Sequence, residues 1–121
     1  MSDKTLHLLI LRDGEGRVLL EKRPPAGVWG GLWCLPDGDS IKAILERLGL
    51  TTRRISPLPR FEHRLSHMLM TICPALADLG KATQVQCPAS LNWFARRQLP
   101  ELGLPKPVTD LLKRLHDGEF D

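Results

Sequence analysis

Between Pro24 and Gly31 the chain places two prolines and three glycines within eight residues, with Trp29 inside the run and Trp33 just beyond it. Regular structure does not survive that density. Proline removes a backbone donor and fixes φ, and glycine carries the largest entropic cost of ordering. The segment must be an irregular loop, so the regular structure lies on either side of it. Upstream, Leu6 to Leu11 is an apolar run that ends in the strong turn signal Arg12-Asp13-Gly14-Glu15-Gly16. Arg17 to Lys22 then reads as the return strand of a hairpin. Downstream, Leu32 to Leu35 is a short candidate strand ending at Pro36.

The rest of the chain alternates in the same way. Ser40 is a plausible N-cap for a helix through Leu48, with Ile41, Ile44, Leu45 and Leu48 on one face and Gly49 as the stop. Leu58 to Arg64 and Met68 to Cys73 are expected strands, joined by a tight Leu65-Ser66-His67 connection. Asp78 to Ser90 reads as loop with a short strand near Thr83 to Gln86, and Leu91 to Phe94 as a final strand. Pro107 suits a helix start, and Val108, Leu111, Leu112 and Leu115 recur at helical spacing. Strands alternating with two helices predict an α+β or α/β sandwich, and 121 residues fit one domain with a real core.

Composition excludes more than it identifies. A chain 42% hydrophobic and 26% charged is not grossly disordered. No apolar run approaches the ~18 residues of a membrane helix, and Met1-Ser2-Asp3-Lys4 lacks the layout of a signal peptide. Cys34, Cys73 and Cys87 are odd in number and scattered, with no paired metal spacing and no iron–sulfur run. They read as buried or incidental thiols in a reducing cytoplasm. The net charge of +3 suits a domain touching a few phosphates but is too small to mark a nucleic-acid binder.

Three segments carry a resemblance: Leu19 to Pro36, Arg60-Phe61-Glu62-His63-Arg64-Leu65-Ser66-His67, and Leu102 to Val108 ahead of the last helix. Together they resemble the C-terminal domain of the MutY-type adenine DNA glycosylases, over about Leu6 to Leu115. The resemblance implies an α+β, Nudix-like α/β/α sandwich with a mixed sheet and two main helices. An active Nudix enzyme carries the box G-x5-E-x7-R-E-U-x-E-E-x-G-U, whose glutamates hold magnesium on one helix face. Here Gly38 to Leu50 is too short for that box. Anchored on Gly49-Leu50, its ligand positions fall on Ala43, Glu46 and Arg47. One carboxylate beside a cation cannot build an oxygen-rich magnesium site. No metal and no catalytic residue are expected, and Glu46 reads as a solvated helix residue.

In the family the second segment is a loop reading Phe-Ser-His that contacts the oxidised base, so the resemblance implies contacts from Leu65, Ser66 and His67. Leu65 stands where the phenylalanine usually is; it cannot stack, though it can wedge or pack against a base step. The lesion itself gives a chemical reason for serine. Guanine N7 is an acceptor in the major groove; oxidation at C8 adds a carbonyl acceptor and turns N7 into an N–H donor. One hydroxyl both donates and accepts, and so answers both changes. Arg60 and Arg64 flank the loop as candidate phosphate contacts, and Lys22 and Arg23 are candidate cations beside the Pro/Gly loop. His63 is expected to make a structural hydrogen bond, and Trp29 and Trp33 to lie in the core.

Adenine excision needs a proton donor, a carboxylate and a pocket for the flipped nucleotide. In the family these belong to a helical N-terminal domain with an iron–sulfur cluster. The resemblance therefore implies a monomeric, cytoplasmic, lesion-recognising domain, non-catalytic alone, taken from a two-domain hydrolase. Its partners are duplex DNA with 8-oxoguanine opposite adenine and the N-terminal domain of the same chain. Two other readings stay open: a hydrolase of oxidised nucleotides, and a degenerate Nudix module for protein interaction or ligand sensing.

Overall fold

Leu6, Leu8 and Ile10 alternate with Leu9 and Leu11, and all five side chains are buried. A strand whose two faces are both apolar must be covered on both sides. The computed structural model, which describes residues 2–52, 54–80 and 88–121, supplies that cover. Its strands are β1 (Ser2–Arg12), β2 (Val18–Lys22), β3 (Trp33–Cys34), β4 (Asp37–Gly38), β5 (Ile55–Pro57), β6 (Phe61–Leu65), β7 (Met68–Asp78) and β8 (Leu91–Phe94). Helix α1 (Ile41–Leu48) lies between β4 and β5. A 3-10 helix (Arg96–Glu101) and α2 (Lys106–His116) follow β8.

The strands form one mixed sheet in the order β3-β2-β1-β7-β5, with β4 added to β1, β6 to β7 and β8 to β2. The β1–β7 pair is parallel from Ser2 opposite Met68 to Arg12 opposite Asp78, and the other pairs are antiparallel. One face packs Leu6, Leu8, Ile10, Val18, Leu20, Met70, Ile72 and Leu76 against Val108, Leu111, Leu112 and Leu115 of α2. The other packs Leu9, Leu11, Leu19, Ala75 and Ala77 against Ile44 and Leu45 of α1. This is the α/β/α sandwich expected from the sequence, with a short 3-10 helix added to the two main helices.

Local signals explain the helix ends. The Ser40 hydroxyl accepts the Ala43 N–H at 3.0 Å, and Gly49 ends α1 in the left-handed conformation at φ 69. Pro107 sits in the first turn of α2. The strand bounds differ more. β1 begins at Ser2 rather than Leu6, because the β7 ladder continues past the apolar run through exposed Asp3, Lys4 and Thr5. β7 runs to Asp78 rather than stopping at Cys73. Pro74, which has no N–H to give, falls between the β6 partners, ending at Ile72, and the β5 partners, starting at Ala75. The strand expected from Leu58 begins only at Phe61, as β6, and β5 before it was not anticipated; the connection after β6 is only Ser66-His67, with Leu65 paired to Met68. β4 and the 3-10 helix carry no sequence periodicity and were not anticipated. The strand expected near Thr83 to Gln86, and Cys87, lie outside the described residues.

Candidate nucleic-acid interface

β6 alternates: Phe61, His63 and Leu65 are half-buried, and Glu62 and Arg64 are exposed. The inward set packs with the α2-side core, which Leu65 and Met68 join as partly buried members. Leu65 is half-buried at the base of the turn and packs against the core. Ser66 and His67 form the exposed apex, next to exposed Arg64. Two-residue hairpins favour primed turns, which need positive φ. Among the described residues the only non-glycine with positive φ is Trp29, so neither Ser66 nor His67 adopts that geometry. The apex is not built from the residues a tight hairpin turn demands.

Arg60 is separated from this apex by the whole of β6, roughly 17 Å of extended chain. It lines a cleft of about 620 Å³ on the α1 side with Ile41, Leu45, Leu50, Ile55 and Leu58. The candidate residues therefore divide into an apex set, Arg64 to His67, and a distant Arg60. Lys22 and Arg23 form a third set at the end of β2. Lys22 is exposed, whereas Arg23 is mostly enclosed. The Arg23 Nε donates to the Val28 carbonyl at 3.0 Å, and Nη1 donates to Asp37 Oδ1 at 2.9 Å. Its guanidinium carbon lies 5.9 Å from the Trp29 ring centroid. The His63 ring is a second neighbour of that indole, 6.3 Å between centroids and tilted by 48°. His63 thus meets Trp29 in a ring contact.

The Pro/Gly loop is closed by its own backbone. Gly30 N–H bonds to the Gly27 carbonyl at 3.1 Å, Gly31 to Pro24 at 3.0 Å and Leu32 to Trp29 at 3.1 Å. Trp29 and Trp33 are half-buried, so neither is a full core residue. Trp33 packs edge-on against Phe94 at 5.0 Å.

At the position where the Nudix box would place metal ligands, the side chains are of the wrong kind. Ala43 and Glu46 are exposed. Arg47 forks onto the Glu21 carboxylate at 2.6 and 3.0 Å and donates to the Asp37 carbonyl at 3.0 Å. The Glu21 hydrogen bond holds the Arg47 guanidinium above its ordinary pKa, against a smaller lowering by burial. A fixed cation fills this corner, and among the described residues no group of three His, Cys, Asp or Glu side chains could hold a metal ion. Glu21 and Asp37 escaped the sequence reading. Their arginine partners lie 26 and 14 residues away, and no periodicity links such positions.

Neither described cysteine supplies chemistry at the apex. Burial pushes the Cys34 thiol up to about 12, and Cys73 is half-buried. No helix among the described residues is long and apolar enough to cross a membrane.

Comparison with known proteins agrees with this architecture. The chain is 25% identical over 115 residues to the adenine DNA glycosylase of Buchnera aphidicola subsp. Baizongia pistaciae (strain Bp), a match covering 93% of this chain. It spans about a third (33%) of that relative's length. Among solved structures, it matches the C-terminal domain of mouse MUTYH, crystallised with human PCNA, with a TM-score of 0.80 and 19% identity, covering 95% of this chain and 88% of that one. It also matches the NUDIX domain of Shewanella oneidensis NrtR in complex with ADP ribose, with a TM-score of 0.76 and 17% identity, covering 97% and 88%. The NUDIX domain model itself matches residues 7–114, nearly the whole sheet and both of its helical covers, and the chain belongs to that family.

Proposed function

We propose that this chain is the lesion-reading domain of an adenine DNA glycosylase. In this reading it helps the enzyme recognise 8-oxoguanine opposite adenine, and a separate N-terminal domain, carrying an iron–sulfur cluster, excises the adenine. The domain is monomeric, works in the cytoplasm and has no catalytic role of its own. The observation that carries the proposal is the β6–β7 apex. Ser66 and His67 project on an exposed two-residue turn beside Arg64, while the half-buried Leu65 anchors that turn to the core. A hydroxyl there can donate to the new carbonyl of the lesion or accept from its N7–H, groups that undamaged guanine, with an acceptor N7 and no C8 carbonyl, does not present. Sequence similarity to a glycosylase supports the same reading.

A hydrolase of oxidised nucleotides is disfavoured by Ala43 and by the Arg47–Glu21 pair in the place of metal ligands. A module for protein interaction or ligand sensing predicts no preference between damaged and normal duplexes. The deciding experiment is an amide NMR titration of the 121-residue chain at low salt. It uses two duplexes that differ only in 8-oxoguanine or guanine opposite adenine. Larger shifts at Leu65 to His67 with the damaged duplex are the expected result, and Ser66→Ala should remove the difference. Equal shifts confined to basic residues would reduce the domain to a phosphate contact.

A further inference from the structure

Arg23 reads from sequence as a cation available to a phosphate, yet its guanidinium is already committed. Its fork joins two places that are far apart in the chain: the Val28 carbonyl inside the Pro/Gly loop, at 3.0 Å, and the Asp37 carboxylate of β4, at 2.9 Å. Its own N–H closes the loop on the Leu32 carbonyl at 2.8 Å. The residue next to Val28 is Trp29, held at φ 58, a conformation that non-glycine side chains rarely adopt and that persists only when neighbours over-determine it. Those neighbours are visible. Arg23 lies over the indole, and His63 approaches it from β6. His63 is two residues from Leu65, in the strand that leads directly into the Ser66-His67 turn. A continuous set of contacts thus runs from Asp37 through Arg23 and Trp29 to His63 and the apex.

We propose that Arg23 is a positioning residue: with Asp37 it holds Trp29 against His63, so that the Pro/Gly loop and the β6–β7 hairpin act as one surface toward duplex DNA. The DNA part of this inference rests on the reading given under Proposed function; the positioning part does not. Arginine is required because lysine has no fork and cannot reach a carboxylate and a carbonyl at once with fixed geometry. The arrangement also gives a strained tryptophan a purpose. It brings the indole of the Pro/Gly loop within ring contact of His63 on β6.

Three variants separate positioning from phosphate contact. Arg23→Lys keeps the cation and loses the fork, Arg23→Ala loses both, and Asp37→Ala removes an anion and leaves the arginine. In the DNA-free chain, the Trp29 indole N–H and the His63 ring protons are read by NMR. The positioning role predicts that all three variants shift both signals and that the Ser66 and His67 amides follow. With the two duplexes used above, all three variants should lose several-fold in preference for 8-oxoguanine. The slope of log affinity against log salt should stay that of the parent for Arg23→Lys and Asp37→Ala. A phosphate contact predicts the reverse: Arg23→Lys binds like the parent, Asp37→Ala binds more tightly, and Arg23→Ala lowers the salt slope by about one. Indole and imidazole signals that stay in place in Arg23→Lys would overturn the proposal. If the parent chain shows no preference for the damaged duplex, the DNA reading fails, and the free-state signals alone decide whether Arg23 positions the loop.

Discussion

Gly30 shows how little freedom the Pro/Gly loop has. A Cβ there would stand 2.4 Å from the Pro25 carbonyl oxygen and 2.9 Å from its carbon, both backbone atoms that cannot swing aside. Gly30→Ala should therefore cost about 1–3 kcal/mol, as overpacked sites do, seen as a lower urea midpoint at unchanged slope. Parent-like stability would show that the loop opens at no cost. Cys34 offers a second residue-level test. Its thiol sits at 1% exposure among the α2-side core residues, with its pKa raised to about 12, chiefly by burial. Thiolate is the reactive species, so a maleimide should leave Cys34 unmodified in the native chain and label it only on unfolding. Mass spectrometry after digestion distinguishes the two.

At the level of elements, the β1–β2 turn and the last helix each hold a group whose folded pKa is shifted. Asp13 is the one buried charged side chain among the described residues. It accepts from the Glu15 and Arg17 N–H groups at 2.9 and 2.8 Å and pairs with Arg17 Nε at 2.7 Å. Burial alone would raise its pKa, but the Arg17 and Glu15 hydrogen bonds outweigh it and the net shift is downward. A carboxylate with a lowered folded pKa stabilises above its unfolded value and loses that contribution as pH falls through the folded one. Asp13→Asn should therefore flatten the acid limb of urea stability below about pH 4; an unchanged limb would remove Asp13 from the account.

His116, at the end of α2, has a buried Nε2 with no hydrogen-bond partner among the described residues. Burial first, then Arg96 and Arg12, lower its pKa, and Asp117 opposes them. Lys113 adds another cation to the same groove. Because the folded value is the lower one, stability is complete above about pH 6.5 and declines as pH falls from there. His116→Gln should lose less stability than the parent between about pH 7.5 and pH 5, measured by chemical denaturation. Equal losses would place the transition elsewhere.

For the molecule as a whole, the corner between α1, β2 and β4 holds an arginine–glutamate pair where the resemblance to the Nudix box implies metal ligands. Magnesium and manganese sites need several oxygen ligands. Here a guanidinium takes the Glu21 carboxylate and the Asp37 carbonyl for itself. Manganese titrated into the chain should cause no localised paramagnetic broadening at Glu21, Glu46 or their neighbours, and a chelator should not change the melting temperature. Saturable broadening centred on Glu46 would return the nucleotide-hydrolase reading to contention.

Much of this was legible in the chain itself, because it follows from local rules. The Ser40 cap, the Gly49 stop, Pro107 in the first turn and the apolar periods of both helices are matters of one or two turns of backbone. The exclusion of regular structure from Pro24 to Gly31 is equally local, as is the position of Ser66 in a tight connection. Tertiary structure alone decided the rest. Ladder pairing extended β1 to Ser2 and β7 to Asp78, since backbone hydrogen bonds continue where side-chain patterning stops. The register put Leu65 on the packed face and sent Arg60 to the far end of β6. Arg23 and Arg47 found carboxylates 14 and 26 residues away. Sequence determines what each short segment can be. Which charges meet depends on how the sheet closes, because an ion pair needs its partners within a few ångströms in space and sets no spacing along the chain.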